Sequence, residues 1–332
     1  RHFGPVGLRR QRPPGRRGQT LPALCGVRGA ADGRPADPKE MGILWLKISI
    51  SVVIYCLAVS AVPIFNKLVF SSGVGDLTRF PYPVATAFLQ LGFVAVVLAC
   101  VNVAGHFCCP SAGSSSGNGD SWLLGPHFRY KIRHVAPVGL LFGLKYGVTN
   151  WGLQLVDTGM HLLLQSSDLL WTVLLARILN KERFGVIEYV AALLCAVGSM
   201  MIGARAVQTL DAPFIPILLN LVTPFFLALC ISTLRMGAVE LFREDNQLEG
   251  TVSPIEFTAI KLGLSSLVAL VLAMCLENGT VQLQTGASEA EIRPAWWIAV
   301  GEQSFDGVLY LLLGSIFVLI FQVNITWLAS LT

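Results

Sequence analysis

Eight long apolar stretches fill residues 43–332. Each is close to the roughly 20 residues a helix needs to cross the hydrocarbon core of a bilayer. They run near Ile43–Phe70, Phe80–Gly105, Val135–Val156, Thr158–Leu179, Val186–Ala204, Ala212–Leu234, Pro254–Leu276 and Gly307–Leu331. Backbone polar groups inside lipid must be satisfied within the chain, so stretches of this length are helices. The pattern predicts an all-α, polytopic transmembrane helical bundle.

Polar residues interrupt these stretches at few places, and charge at bilayer depth is costly enough to mark a cavity or a partner. In the fourth stretch Thr158, His161, Gln165, Asp168 and Thr172 are spaced 3, 4, 3 and 4, which puts them on one helical face. Such a stripe lines either a polar cavity or a set of interhelical hydrogen bonds. We expect the cavity, because one member is an acid near mid-membrane. The seventh stretch carries Thr258, Lys261 and Ser265 on one face, and Lys261 is placed to pair with Asp168 across the bundle. In the third, Gly139, Gly143 and Gly147 form a small-residue ridge that lets a neighbouring helix approach closely. Lys145 projects away from that ridge, and a cation facing a cavity suits an anionic substrate. Pro216 and Pro224 flank Asn220 in the sixth stretch and predict a kinked helix.

Composition agrees with the pattern. Mean hydropathy is +0.64, and charged residues are only 13% of the chain, against about 25% for a soluble domain. The net charge of +4 is deceptive, since residues 1–40 hold nine of the 24 Lys and Arg. The remainder is close to neutral, and nothing argues for nucleic acid. Residues 1–40 are rich in Arg, Gly and Pro, which excludes a packed core and suggests a disordered leader. Met41 is the natural start of the membrane domain, and a transit peptide is the lesser alternative. Of the eight cysteines, Cys56, Cys100, Cys195, Cys230 and Cys275 fall in apolar stretches and read as buried thiols. Cys108 and Cys109 read as unmodified juxtamembrane thiols, with palmitoylation as the alternative. Ser111–Asp120 is a flexible linker. Outside residues 1–40, nine Lys and Arg gather on the side of the N-terminus and four on the other, so the positive-inside rule predicts a cytosolic N-terminus. The sequon Asn278-Gly279-Thr280 then faces the lumen.

Four local motifs, in order, carry a family resemblance over Met41–Thr332. The first stretch ends PIFNKLVF, with Asn66-Lys67; the second opens FPYP at Phe80–Pro83; the third runs into TNWGLQLVDTGMH, with Asn150; and the fourth ends in the turn Glu182-Arg183. The chain resembles the triose-phosphate and nucleotide-sugar transporters of the drug/metabolite transporter superfamily. The resemblance implies two inverted five-helix repeats with a substrate site between them, a general transporter device. On this reading residues 41–204 form the first repeat and 205–332 three helices of an incomplete second. An echo pairs Asn150-Trp151 with Asn324 and Trp327, and Lys67 with Arg235. Two further helices, one bearing the family's second basic residue, would follow Thr332.

The resemblance also implies an antiporter-type carrier of nucleotide sugars or sugar phosphates in the Golgi or ER membrane, or in a plastid inner envelope. The expected substrate-binding residues are Lys145, Asn150, His161, Gln165, Asp168 and Lys261. Gln165 departs from the family, which has lysine there, so Lys145 or Lys261 is left to supply the positive charge. No cofactor, metal or enzyme motif is expected, and a homodimer is left open. The rival reading is a non-transporting binding or regulatory protein built on the same fold.

Overall fold

The computed structural model describes residues 38–71, 79–108, 123, 125, 127–209, 214–243, 246–248, 251–279 and 294–331. The expectations for residues 1–37, Cys109, the 111–120 linker and Thr280 of the sequon lie outside these. The chain is an all-α, multi-pass membrane bundle, whose helices are α1 (Pro38–Ser71), α2 (Pro83–Cys108), α3 (Phe128–Leu155), α4 (Thr158–Gln165), α5 (Asp168–Leu179), α6 (Val186–Thr209), α7 (Phe214–Phe242), α8 (Pro254–Leu276), α9 (Trp296–Gly301) and α10 (Phe305–Leu331). Among the described residues, seven spans are long and apolar enough to cross a membrane, counting α4 and α5 together as Thr158–Leu179. That is one fewer than the eight expected. The exception is α3, whose Lys145, Thr149, Asn150 and Gln154 lower its hydropathy. Its polarity is tolerated because α8, α7, α2 and α1 surround it.

The centre of the bundle is α8 packed between α2 and α3, with α7 against α3 and α10 against α1 and α2. The glycine ridge makes this arrangement fit. A Cβ on Gly139 would lie 2.9 Å from the Lys261 carbonyl, and one on Gly143 would lie 2.5 Å from the Ser265 carbonyl. Ser265 completes the contact by donating to the Gly139 carbonyl at 2.8 Å. Toward the outside, α6 presents Val186, Ile187, Leu194 and Met201 without protein cover, as a lipid-facing helix should. The cysteines need a correction in the same terms. Only Cys230 is enclosed by protein, whereas Cys56, Cys100, Cys195 and Cys275 sit on outward faces. An outward face in a membrane is itself apolar, so an apolar stretch does not imply a buried thiol.

The fourth stretch is not one helix. It breaks at Ser166-Ser167, between α4 and α5. The serine hydroxyls donate back to the carbonyls of Leu163 and Leu164, at 2.7 and 3.2 Å. Their backbone N–H groups reach only three residues back, to the same carbonyls. Such back-bonding competes with the helical ladder, and Ser199 of α6 supports it by donating to the Leu163 carbonyl at 3.2 Å. The prolines of α7 also separate. Pro216 lies in the first turn, where no helical bond is lost, and only Pro224 stands inside the helix.

Charged side chains tie the helix ends. At one end of the bundle, Lys67 donates to the carbonyls of Leu153, Gln154 and Val156, at 3.0, 3.2 and 2.7 Å, capping the C-terminus of α3. Beside it Glu277, just beyond the apolar span of α8, accepts from the N–H groups of Val84 and Ala85 at 2.9 and 2.8 Å. It thereby caps α2, whose preceding residue Tyr82 turns its hydroxyl to the Pro294 carbonyl. At the other end, Lys131 and Glu256 form a fully buried ion pair at 2.5 Å, Tyr130 donates to Glu240, and Arg235 pairs with Glu182. Arg235 therefore lies within α7, well before its end at Phe242.

Burial pushes the Glu277 carboxyl up from an ordinary value of 4.5 to about 7, against the pull of its two backbone donors. The folded state therefore holds this proton to higher pH than the unfolded chain does. The stability it contributes is full below the ordinary carboxylate range and is lost as pH rises through about 7. Thermal unfolding in detergent should show the melting temperature falling across that window. In Glu277→Gln, which keeps an acceptor but cannot ionise, the fall should be shallower.

Candidate functional site

The expected site residues divide into two groups. Asn150, His161 and Gln165 are engaged by neighbouring helices. Asn150 donates to the Pro83 carbonyl at 3.2 Å and accepts from Asn66 at 3.3 Å, while Gln90 donates to Asn66 at 2.9 Å. This network joins α1, α2 and α3, so Asn150 holds the scaffold together. His161 Nδ1 lies 2.6 Å from Asn220 Oδ1. Because Asn220 uses its amide nitrogen on the carbonyls of Gly152 and Pro216, its oxygen is the acceptor and the His161 proton sits on Nδ1.

Gln165 has a specific task. Pro224 has no N–H, so the carbonyl four residues earlier, that of Asn220, loses its helical donor. Gln165 Nε2 donates to that carbonyl at 3.3 Å and to Thr223 Oγ1 at 2.5 Å, and Thr223 itself donates to the same carbonyl. For His161 and Gln165 the interhelical alternative prevails over the cavity-lining one. The polar stripe of the fourth stretch is divided by the break, with its first half latched to α7.

The second group gathers at the centre. Lys145 is only 9% exposed. Its Nζ lies 4.6 Å from the centre of the Tyr146 ring, and it makes no hydrogen bond or ion pair among the described residues. Lys261, at 0% exposed, donates to Thr326 Oγ1 at 2.9 Å and stands 4.9 Å from the centre of the Phe142 ring. Both ammonium groups act electrostatically on the Cys230 thiol, so the three converge from α3, α8 and α7. Gln322 of α10 donates to Tyr146 at 2.6 Å. Its side-chain oxygen Oε1 is buried without a partner, as is the Thr149 hydroxyl one turn beyond Lys145. Buried orphan groups are rare enough to indicate an absent ligand or water.

Asp168 opens α5 at the break, half-buried, and interacts electrostatically with Lys145 and with Tyr55 of α1. The expected Asp168–Lys261 pair does not form, because Lys261 is turned to Thr326 on α10. Cys230, Tyr146, Gln322 and Thr326 belong to this cluster and were absent from the sequence expectation. Cys230 lies singly on an apolar helix, Tyr146 is overshadowed by the adjacent Lys145, and Gln322 and Thr326, one turn apart on α10, are uncharged. Among the described residues no group of three His, Cys, Asp or Glu is placed to hold a metal. What the cluster offers instead is two desolvated amines, hydroxyl and amide groups, and one acid.

Compared with known proteins, the chain matches no family model and no curated relative.

Proposed function

We propose that this protein is a secondary carrier for small phosphate-bearing anions, of the nucleotide-sugar or sugar-phosphate class. It would work by antiport and alternating access in an endomembrane of the Golgi or ER, with its N-terminus in the cytosol. The observation that carries the reading is the convergence of Lys145 and Lys261 on Cys230 with no carboxylate among the described residues bonded to either. Removing two ammonium groups from water is expensive unless an opposite charge meets them. A phosphate supplies that charge, and lysine binds it as a point cation. The uncommitted Gln322 oxygen and Thr149 hydroxyl suit the polar groups of a sugar or base.

The test is exchange of labelled nucleotide sugars and sugar phosphates by reconstituted full chain. Lys145→Met and Lys261→Met should each lower exchange at least ~10-fold, the loss of one charge-assisted bond to phosphate, while the protein still elutes as a folded species. Exchange unaffected by both substitutions would refute the reading.

One observation favours a non-transporting binding protein instead. Gln165, at the place where the resembled family has lysine, spends its amide on α7. Such a protein would bind ligand in detergent yet exchange nothing after reconstitution.

A further inference from the structure

The charges at the centre of the bundle do not balance, and the imbalance has a consequence for what travels with the anion. Besides thiol and phenol groups, the described ionisable groups there are Lys145, Lys261 and Asp168, which when ionised give two positive charges against one negative. Asp168 is within electrostatic reach of Lys145 but not bonded to it. The other groups that face this acid can be named element by element. From α1 comes Tyr55. On α7, which packs along α5, Cys230 is within electrostatic reach of both lysines. The third neighbour, α6, carries Glu188 and Tyr189 near one end and Arg205 near the other, and Tyr189 is bound by Arg177. His161 is committed to Asn220. Lys145 is the cation that can serve either Asp168 or an incoming anion.

A singly charged anion entering this cluster brings the sum to zero. A doubly charged phosphate monoester brings it to minus one, with Asp168 holding the surplus beside the ligand. An unpaired charge in a low-dielectric interior is strongly disfavoured, and the group neutralises instead. We propose that Asp168 takes up one proton when a phosphate dianion occupies the two-lysine site, so that dianion and proton cross the membrane together. No bond other than that between proton and carboxylate is made or broken. The proton comes from the aqueous phase on the loading side and returns to water on the other. Asp168 is half-buried where the helix breaks, and in this proposal that is where the proton is exchanged with water. This inference rests on the carrier reading above.

The probes are UMP, at a pH where its phosphate is doubly ionised, and its singly charged methyl ester. Full chain is reconstituted with a pH-reporting dye inside and the membrane voltage clamped. Equilibrium exchange of UMP, with equal concentrations on both sides, tests the carrier reading alone. Exchange of external UMP for methyl ester loaded inside, with an inward proton gradient, tests the coupling. The expected result is one proton entering per UMP, and accumulation rising about tenfold per unit of pH gradient. The methyl ester should move without the proton. Asp168→Glu should keep the gradient response. In Asp168→Asn the ratio of gradient-driven to equilibrium flux should fall to that of the ester. Wild-type exchange of UMP for the ester with no accompanying proton overturns the coupling and leaves the carrier reading standing, as does an Asp168→Asn protein that still responds to the gradient. Absence of UMP exchange in wild type removes both.

Discussion

Replacing Gly143 by leucine should prevent α3 and α8 from packing and cost most of the folded protein. A single Cβ at this position already meets the Ser265 carbonyl at 2.5 Å and Val268 Cβ at 2.7 Å. The first of these is backbone, so no rotamer change relieves it, and two central helices would have to separate. Overpacking of a well-filled core commonly costs about 1–3 kcal/mol. Here the cost should reach the upper end or exceed it, because Ser265 would also lose its bond to Gly139. Gly263, on the same helix α8, has open space where a Cβ would stand, with nothing within 4 Å, and serves as the control. The measurement is the fraction recovered as a monodisperse peak in detergent, with the melting temperature of that peak. Gly143→Leu should lose most of both, Gly263→Ala neither. A leucine variant that melts with wild type would mean that the ridge is not in contact.

Truncating Lys131 to alanine should destabilise the bundle by about 3–5 kcal/mol, the usual result of removing one partner of a buried ion pair. Lys131 and Glu256 are both 0% exposed, so the remaining carboxylate has little water to turn to. Lys131→Met combined with Glu256→Leu should recover most of the loss, since an apolar pair of similar volume often replaces a buried ion pair at little cost. Melting curves of the two single variants and the double variant decide the matter. If the double variant melts no higher than Lys131→Ala, the pair acts as more than a charge balance at that end.

Much of the architecture was legible because lipid makes each spanning segment declare itself. Pro254–Leu276 is found at the expected bounds, and the glycine ridge of α3 packs as its spacing implies. The direction of Lys145 was legible too, since helical geometry alone turns it from that ridge. Other features depend on partners far apart in the chain. The break at Ser166-Ser167 draws on Ser199 of α6, and no local pattern in the fourth stretch reveals that helper. Lys131 counted only toward orientation, because Glu256, the residue that buries it, lies 125 positions away. The short α9 follows Ala295 with no side-chain cap, so it carries no start signal. Among the site residues, charge made Lys145, Asp168 and Lys261 visible. Cys230 was hidden because a lone thiol on an apolar helix is ordinary, and Gln322 because uncharged polar residues in a span commonly serve interhelical bonds.

The turn of α7 around Asn220 has a mechanical consequence. Its side chain holds the Gly152 carbonyl near the end of α3, its Oδ1 holds His161, and its own carbonyl, released by Pro224, is held by Gln165. A proline kink left to itself is a free joint. Here the slack is taken up by the first half of the interrupted span, so α7 cannot bend without dragging α4, and α4 cannot swing without loading the tail of α3. The three form a crankshaft with one bearing. Asp168 lies on the far side of the break from that bearing, at the first residue of α5.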